Sequence, residues 1–460
     1  MIPNNSPWLA ELNRTRNAER LTADRTTDVV IVGDGLAGAM TAYFTLTETD
    51  KRVIVLEADR VAHGATGHNA GQVVSYFERP FPSLVEEFGL AAVIEGQRSV
   101  ESAWALLEGI RTDAKLVTPL YRFTGYAGCA MLPQLLAHLE TNRLRVAGGL
   151  PPESIFVSEE SGWAAQVPLE YKEFIAVIPH SDLLSLLETE DREYHACVAS
   201  DKGCMNSALF TEEIIAHLAG TYPGRFELFE KSRVSRVQLH QGSAAVTVGD
   251  HAVEARRVVL CTNGFEQFTI ANGSGSDIDT DFHHSVNGRI GYMAGYLEPI
   301  DTTPSAISYY PSGNSLVHDP TGDPYFYFTR RPHGADGKNL VCVGGPEKVL
   351  PNQADYSRTD PGDEEMRERL DEFMSATYRQ YPDSRTEYSF CWHGLMGYTP
   401  SGVRRVGEEP CNPVLLYNLG CNGVGILPSI FGGKRIAGLL AGEQFPPSIF
   451  DPHDQRTCSV

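Results

Sequence analysis

Two glycine-rich segments near the start of the chain have the composition of phosphate-binding loops. The first, at residues 33–38 (GDGLAG), fits the pattern G-x-G-x-x-G, and the second follows at residues 64–72 (GATGHNAGQ). Glycine at such positions permits a tight turn and a close approach of the backbone to phosphate, and a following helix presents its positive end. Glu57 stands 19 residues after Gly38, where an acid typically binds ribose hydroxyls. The pattern predicts a dinucleotide-binding site.

Asp34 is the residue of the first loop that suits a phosphate least. A carboxylate beside a pyrophosphate repels it unless the side chain points away from the ligand. We therefore expect Asp34 to lower the affinity of the loop for the dinucleotide somewhat, without changing the assignment of the site.

The first loop is predicted to join a strand to a helix. Residues 28–33 (DVVIVG) form a buried β-branched run, residues 36–48 have the composition of a helix, and residues 52–56 (RVIVL) form a second buried run. Together they make a βαβ unit of about 30 residues. The chain is predicted to return to this domain with a helix at 208–219 and strands at 226–237, 243–248 and 253–260.

The rest of the chain is predicted to build a second domain. Apolar residues recur at helical spacing in residues 96–111 and 128–146, with a strand-like piece at 116–123 between them. Aromatic and polar residues alternate at 291–297 and 325–330, which is typical of an antiparallel sheet with one face on a pocket. The tail is predicted to hold a helix at 364–380, a strand at 414–419 and a last helix at 433–441.

These elements predict an α/β fold, α+β overall, in which a Rossmann-type nucleotide-binding domain is interleaved with an antiparallel-sheet substrate domain and a helical layer. The predicted nucleotide-binding domain consists of residues 1–80, 196–270 and 385–460. The predicted substrate domain consists of residues 81–195 and 271–384.

Composition excludes several classes of protein. A chain of 460 residues with 42% hydrophobic and 21% charged residues is typical of a globular protein of two or three domains. Its net charge of −21 repels nucleic acid. Because we find no signal-like start and no run of about 18 apolar residues, we expect a soluble, cytoplasmic protein without a membrane partner. The nine cysteines are scattered, so we expect free thiols and no metal site.

Four motifs in order carry a resemblance to a known family. They are GDGLAG with Glu57, GATGHNAGQ at 64–72, VVLCTNG at 258–264 and GCNGVG at 420–425. In these motifs the chain resembles the FAD-dependent oxidoreductases of the D-amino-acid oxidase superfamily, in the branch with glycine oxidase, sarcosine oxidase and γ-glutamylputrescine oxidase. The resemblance implies FAD as cofactor. It also implies non-covalent binding, since residues 395–399 lack the cysteine that attaches flavin in sarcosine oxidase relatives.

The resemblance further implies which residues hold FAD. Glu57 is expected at the adenosine ribose, the backbone of Val234 at the adenine, and residues 65–72 at the pyrophosphate and flavin ring. The turn at 423–426 lies near the start of the last helix, whose positive end is expected to stabilise negative charge on the reduced flavin. The expected contacts are Gly33, Gly35, Leu36, Ala37, Gly38, Glu57, Ala58, Ala65, Thr66, His68, Asn69, Ala70, Gly71, Gln72, Val234, Thr262, Gly264, Gly423, Val424, Gly425 and Ile426.

Three departures from the family pattern concern the substrate. His68 stands where many relatives have arginine, Val424 replaces a common histidine, and residues 401–405 (SGVRR) replace the usual Asp-Gly-Leu-Pro-Val. The flavin contacts are expected to be retained, but the substrate cannot be transferred from a relative.

The family's reaction implies hydride transfer from the carbon beside a neutral amine to flavin N5, followed by hydrolysis of the imine. A carboxylate on the substrate needs a bidentate cation, and strand alternation allows only one of Arg330 and Arg331 to point inward. We favour Arg330, with Tyr327 beside it. Further candidates for the pocket wall are Arg289, Tyr292, His393 and Tyr398.

Two other classes of flavoprotein stay open at this point. A flavin-dependent hydroxylase would share the first motif, although GCNGVG stands in place of its late Gly-Asp motif. A non-catalytic flavin-binding subunit of a hetero-oligomeric dehydrogenase is the other alternative. The expected partners are a small amine or amino acid and an electron acceptor, either oxygen or another carrier.

Overall fold

A buried run of β-branched residues forms the central strand of the first sheet. In the computed structural model, strand β1 covers Arg25–Val32, and its last four residues are buried, as expected of a strand covered on both faces. It pairs in parallel with β2 (Val53–Leu56) and with β11 (His251–Leu260). The structure describes residues 3–14, 16–264, 267–273, 275–299, 303–312, 325–334, 337–352, 355–381 and 387–452.

Helix α2 (Leu36–Glu48) follows β1 and has the predicted bounds. It packs against the last helix, α11 (Ile426–Ala441), and a Cβ added at Gly433 would lie 2.7 Å from the carbonyl carbon of Met40. The predicted start of this last helix at residue 433 was wrong, because the glycine there permits close helix packing and does not end a loop. Pro428 is tolerated in the helix because it lies in the first turn.

The first sheet combines the predicted parallel core with an antiparallel edge. The remaining strands are β8 (Phe226–Phe229), β9 (Arg236–Leu239), β10 (Ala244–Val248), β12 (Thr269–Asn272), β18 (Arg405–Glu408) and β19 (Leu415–Leu419). Their order is β12-β9-β10-β11-β1-β2-β8, while β19 pairs in parallel with the second half of β11 and β18 pairs with β19.

The strand predicted at 226–237 is two strands, β8 and β9, in separate parts of the sheet. The segment between them holds Glu230, whose buried carboxylate accepts a hydrogen bond from the main-chain N–H of Val61 at 2.8 Å and pairs with Arg16 and Arg60. These contacts hold the chain outside the sheet directly after β8.

The second sheet is largely antiparallel, as predicted. Its strands are β3 (Gln72–Val74), β4 (Leu120–Cys129), β5 (Ser154–Ser158), β6 (Ile175–Ile178), β7 (Ala196–Met205), β13 (Asn287–Pro299), β14 (Ser305–Tyr310), β15 (Phe326–His333), β16 (Lys338–Leu350) and β17 (Phe390–Tyr398). They run in the order β17-β13-β16-β15-β14-β4-β7-β5-β6, and β3 pairs with β7. The β14–β4 and β5–β6 pairs are parallel. The predicted fold class is confirmed.

Helices cover both sheets. The predicted helical layer is present as α4 (Leu90–Asp113) and α5 (Leu132–Ala147), with β4 between them. None of the helices in the described ranges is long and apolar enough to cross a membrane. The other helices are α1 (Pro7–Ala10), α3 (Phe81–Phe88), α6 (Trp163–Gln166), α7 (His180–Leu186), α8 (Ser207–Thr221), α9 (Asp279–His284) and α10 (Glu364–Thr377), with 3₁₀ turns at Ala65–Gly67 and Leu169–Phe174.

The predicted domain boundaries stay a prediction, but three strands differ from them. Strands β3, β7 and β17 lie within segments assigned to the nucleotide-binding domain and pair in the second sheet. Their partners in the sheet come from distant parts of the chain, and local sequence does not show which sheet a strand joins. Cys411 also differs from the expectation of free thiols, because it is disulfide-bonded.

Candidate functional site

The GDGLAG turn has the geometry that its glycines predict. Gly33 has a φ of +96°, and a Cβ there would lie 2.9 Å from the carbonyl oxygen of Cys261. A Cβ on Gly38 would lie 2.0 Å from the carbonyl oxygen of Gly33, so helix and strand meet at this residue. Gly38 therefore supports the turn from behind and does not line the cavity. Four residues of the turn do line the cavity, namely Gly33, Gly35, Leu36 and Ala37.

The side chain of Asp34 points away from the cavity. It is fully buried, and neither carboxyl oxygen has a hydrogen-bond partner among the described residues. Burial, together with the nearby carboxylates of Glu57 and Glu212, raises the pKa of Asp34 well above its usual value. This orientation keeps the carboxyl group off the ligand side of the turn. Glu57 and Ala58, at the end of β2, line the cavity as predicted.

The second glycine-rich loop packs directly against the first. Its Thr66 Oγ1 accepts a hydrogen bond of 2.9 Å from the main-chain N–H of Leu36. The side-chain amide of Asn69 donates to the carbonyl oxygen of Thr66 at 3.0 Å and to Ser207 Oγ at 2.8 Å, which holds the loop in shape. The loop residues that line the cavity are Gly64, Ala65, Thr66, His68, Asn69, Ala70 and Gln72.

Gly71 and His68 have different surroundings within this loop. Gly71 has a φ of +69°, does not line the cavity, and would place a Cβ 2.6 Å from the ring of Trp8. It thus lets the N-terminal helix α1 pack behind the loop. His68 faces the cavity, with Nδ1 2.9 Å from the carbonyl oxygen of Gly64. Burial lowers the pKa of His68 to about 4, so the ring is neutral and does not replace the charge of the family's arginine.

Val234 and Thr262, two further expected FAD contacts, line the cavity. Thr262 Oγ1 is buried without a hydrogen-bond partner among the described residues. Gly264 does not line the cavity. Its φ is +95°, and a Cβ there would lie 2.5 Å from the side chain of Val286, so this glycine permits packing.

The turn before α11 closes the cavity on another side. Gly423, Val424, Gly425 and Ile426 all line it, and α11 begins at the last of these residues. A Cβ on Gly423 would lie 3.0 Å from the hydroxyl of Tyr398 and 3.3 Å from Cγ of Glu78. The cavity has a volume of about 550 Å³. It joins these loops to residues of the second sheet, namely Met293, Ser308, Tyr327, Glu347, Leu395, Met396 and Tyr398.

Arg330 lies outside this cavity, contrary to its predicted role. Its guanidinium donates to both carboxylate oxygens of Glu188, at 2.5 and 3.0 Å, and to the hydroxyl of Tyr378 at 2.7 Å. Only 2% of Arg330 is exposed. Arg331 is also held elsewhere, by Glu11 at 2.7 Å. Neither arginine faces the cavity because the strand packs both of its faces against other elements.

Some of the other residues predicted for the pocket wall line the cavity and some do not. Tyr327 and Tyr398 line the cavity. His393 does not, since it is buried with Nε2 3.0 Å from the carbonyl oxygen of Asp360. Tyr292 lies behind the wall against His393, with ring centroids 5.9 Å apart, and Arg289 stacks on Tyr398 with its guanidinium 4.6 Å from the ring centroid. Two of the four predicted catalytic residues are thus brought to the cavity.

Sequence reasoning missed the acidic and aromatic residues of the cavity. Tyr76, Glu78, Tyr325 and Glu347 line it, although they belong to three separate parts of the chain. Burial raises the pKa of Glu78 to about 7, and burial also raises the pKa of Glu347. The available signal was the position of Tyr76 and Glu78 directly after the second glycine-rich loop.

Arg404 is a second residue that sequence reasoning missed. It lines the cavity and is buried, and it has no carboxylate partner among the described residues. Its Nε donates to Asn418 Oδ1 at 2.6 Å, and Asn418 in turn contacts Thr41 of helix α2 at 3.1 Å. Burial lowers the pKa of Arg404 to about 10, so the side chain is still a cation at neutral pH. The sequence feature that could have indicated Arg404 is its position in residues 401–405 (SGVRR), where the chain departs from the family pattern.

These features fit FAD as the ligand of the loops. A negatively charged group of bound FAD would balance the charge of the buried Arg404, and the unpartnered hydroxyl of Thr262 would be available to a polar group of the cofactor. The glycines at 33 and 35 line the cavity, and a Cβ at either position would lie 2.9 Å from a protein oxygen, so only glycine permits this close packing of the two loops and the end of β11. The residues present thus match the predicted cofactor.

Two curated relatives match short segments of the chain. A γ-glutamylputrescine oxidoreductase of Escherichia coli (strain K12) is 34% identical over 85 residues, which cover 18% of this chain and 20% of that protein. A probable oxidoreductase, OrdL, of Haemophilus influenzae is 38% identical over 69 residues, which cover 15% of this chain and 16% of that protein. The matched segments span about a fifth of these relatives' length or less.

Solved structures share the fold over nearly the whole chain. Glycine oxidase from Geobacillus kaustophilus has a TM-score of 0.65 at 15% identity and is covered completely by 94% of this chain. L-Proline dehydrogenase from P. horikoshii has a TM-score of 0.66 at 15% identity, with 93% of this chain and 97% of that chain covered. NikD, an unusual amino acid oxidase, has a TM-score of 0.65 at 13% identity, with 95% of this chain and all of that chain covered.

A family model confirms the relationship that the four motifs suggested. The model described as FAD dependent oxidoreductase matches residues 28–439, from the first strand to the last helix. Its cofactor, FAD, agrees with the loops, the buried arginine and the glycines of the cavity. The chain belongs to the family of FAD dependent oxidoreductases.

Proposed function

We propose that the protein oxidises a carbon–nitrogen bond of a small amine or amino acid, with FAD bound non-covalently along the loops of the first sheet. The observation that carries this proposal is that one cavity of about 550 Å³ joins those loops to the wall formed by the second sheet. A substrate in that cavity lies directly beside the cofactor. The names of the relatives, which include γ-glutamylputrescine oxidoreductase and glycine oxidase, support the class of reaction.

The bonds that change follow from this class of reaction. The carbon beside the nitrogen gives up a hydride with its two electrons, and the nitrogen lone pair forms the C=N bond. Water then adds to that bond and releases a carbonyl compound with ammonia or a smaller amine. When bound, FAD supplies the hydride acceptor, N5 of its ring.

The chain orients the substrate and supplies a favourable charge. Tyr327 and Tyr398 line the cavity and restrict the substrate's position. The turn at 423–426 places the positive end of α11 at the cavity, where it stabilises negative charge that develops beside it. The buried walls also keep bulk water away from the reacting carbon.

The proposal is tested by anaerobic reduction of the bound flavin. The purified holoenzyme is mixed with primary amines, N-methyl amines, cyclic imino acids, and D- and L-amino acids, and loss of the oxidised-flavin absorbance is followed. We expect one group to bleach the flavin, and deuterium on the carbon beside nitrogen to slow bleaching. Re-oxidation in air then separates an oxidase from a dehydrogenase.

Two controls keep this test decisive. Dithionite shows that the flavin is reducible, and alcohols of matched size show whether nitrogen is required. If dithionite reduces the flavin while every amine and amino acid leaves it oxidised, the proposal is wrong and a non-catalytic flavin-binding role is favoured. Equal bleaching by alcohols would also contradict it.

A further inference from the structure

Two carboxyl groups line the cavity near Tyr398 and the turn that precedes α11. They belong to Glu78 and Glu347. Tyr398 lies near both of them. Its hydroxyl is 3.4 Å from Oε1 of Glu347. A Cβ on Gly423 would lie 3.0 Å from the same hydroxyl and 3.3 Å from Cγ of Glu78. The two carboxyl groups therefore flank one tyrosine beside the turn that precedes α11.

Aromatic rings complete this part of the cavity. Tyr76, Tyr325, Tyr327 and Tyr398 all line it. Tyr325 is hydrogen-bonded to Glu78 and to Tyr76, and its ring centroid lies 5.6 Å from that of Tyr327. Tyrosine faces attract cations, and an ammonium group donates hydrogen bonds to carboxylates. We call these four tyrosines with Glu78 and Glu347 the acidic box.

Two cations of the chain, Arg289 and Lys202, lie near the carboxyl groups of the acidic box. Arg289 is committed to Glu347, with Nη1 3.5 Å from Oε2. Lys202 is buried and donates to Ser308 Oγ at 3.3 Å, and the carboxyl groups nearest to it are Glu153 and Glu78. Glu153 also has Arg145 near it. A ligand cation at the box would favour ionisation of Glu78, whose pKa burial raises to about 7.

A substrate carboxylate, in contrast, finds no arginine in the box. The arginines that line the cavity are Arg233, Arg358 and Arg404. Arg233 adjoins Val234 at the expected adenine position, and Arg404 is held by Asn418. Arg358 donates to the carbonyl oxygen of His63 at 2.5 Å, next to the second glycine-rich loop. All three belong to the cofactor side of the cavity.

We propose that the substrate is an alkyl diammonium, with one nitrogen beside the carbon that is oxidised and a second, protonated nitrogen bound between Glu78 and Glu347 in the acidic box. This inference rests on the proposed amine oxidation and specifies the substrate of the same site. The distal nitrogen keeps its proton, since two carboxylates and four aromatic rings favour the charged form.

The experiment compares three compounds with four carbons each. Concentration dependences of anaerobic flavin bleaching are measured on the holoenzyme for 1,4-diaminobutane, butylamine and 4-aminobutyrate. We expect 1,4-diaminobutane to bind roughly tenfold or more tightly than butylamine, because a charged hydrogen-bonded pair is gained. We expect 4-aminobutyrate to bind most weakly, because it places a carboxylate against Glu78 and Glu347.

Variants then separate the box from a general charge effect. Glu78→Gln and Glu347→Gln each retain the side-chain shape, and each is expected to weaken 1,4-diaminobutane binding roughly tenfold while butylamine changes less than threefold. Glu173→Gln, at an exposed position, is the matched control and is expected to change neither. If Glu347→Gln does not fold because Arg289 loses its partner, Glu78→Gln still tests the box.

Binding without turnover distinguishes the two proposals. Tetramethylammonium cannot form an imine by this route, so its effect on the oxidised-flavin spectrum reports binding alone. Glu78-dependent binding of tetramethylammonium without bleaching by any amine would support the box and overturn the proposed reaction. Bleaching by butylamine or an amino acid, with no diamine preference and no effect of Glu78→Gln, would support the reaction and overturn the diammonium substrate.

Discussion

The main-chain N–H of Asp34 donates a hydrogen bond of 2.8 Å to Oε2 of Glu57, which joins the phosphate loop to the acid that ends β2. The other carboxylate oxygen of Glu57 accepts a hydrogen bond of 2.8 Å from the main-chain N–H of Asp59. Both oxygens are thereby held in place at the cavity wall. Each carboxylate oxygen accepts more than one hydrogen bond, so the group is positioned to bind ribose hydroxyls as well.

Glu57→Gln is expected to weaken FAD binding roughly tenfold, because the new NH₂ group faces a main-chain donor where a carboxylate oxygen accepted. The measurement is titration of the apoprotein with FAD, followed by quenching of flavin fluorescence. Glu19→Gln, at an exposed position of the N-terminal arm, is the control. Equal FAD affinity of Glu57→Gln and the parent protein would contradict the role of Glu57.

Arg404→Met is expected to lower FAD affinity by a factor of roughly 10 to 100, because the cofactor loses a buried counter-charge. The same change is expected to leave the apoprotein as stable as before or more stable, since it removes a buried cation without a carboxylate partner in the described structure. Thermal unfolding with and without FAD measures both effects. Arg405→Met, one residue later, is the matched control, and the idea fails if both variants retain FAD equally.

Asp34→Asn is expected to raise the free energy of unfolding, and to raise it more at pH 8 than at pH 5.5. Burial raises the pKa of Asp34 in the folded state, so the folded protein holds this proton more tightly than the unfolded chain. The stability that Asp34 contributes is therefore complete below its usual pKa and is lost as the pH rises towards the folded value. Urea unfolding at both pH values measures the difference. Asp50→Asn, at an exposed position, is the control, and a pH-independent difference would contradict this account.

Affinity for a cationic ligand is expected to rise with pH through about 7. The carboxyl group of Glu78 binds a cation only when ionised, and burial raises its pKa to about 7. The hydrogen bond from Tyr325 and the nearby cations Lys202 and Arg289 lower this pKa, and the nearby carboxylate of Glu347 raises it. Tetramethylammonium titrations between pH 6 and 8.5 should show the rise. The rise should be absent in Glu78→Gln, and its persistence there would assign the titration to another group.

Arg330→Met is expected to cost about 3 kcal/mol of stability, because Glu188 loses the buried partner that holds both of its oxygens. Binding of 1,4-diaminobutane is expected to stay within twofold of the parent value, since Arg330 does not line the cavity. Arg192→Met removes an exposed pair with Glu160 and should cost less than about 1 kcal/mol. A large change in ligand affinity with unchanged stability would restore Arg330 to the substrate site.

Local sequence determined the first phosphate-binding turn and the βαβ unit that contains it. The turn at 33–38, the helix at 36–48 and the acid at 57 follow one another within a single βαβ unit, so spacing and side-chain type determine their arrangement. Glycines with positive φ, such as Gly33, are also readable locally because other residues adopt that conformation at a cost.

The tertiary structure alone decided the substrate side. Strand alternation states that Arg330 and Arg331 face opposite ways, but packing on both faces of the strand removes both from the cavity. Glu78, which lies between β3 and α3, and Glu347, on β16, line the same cavity although they are 269 positions apart in the chain. Side chains contributed by distant strands converge only through long-range packing, which no local pattern of spacing encodes.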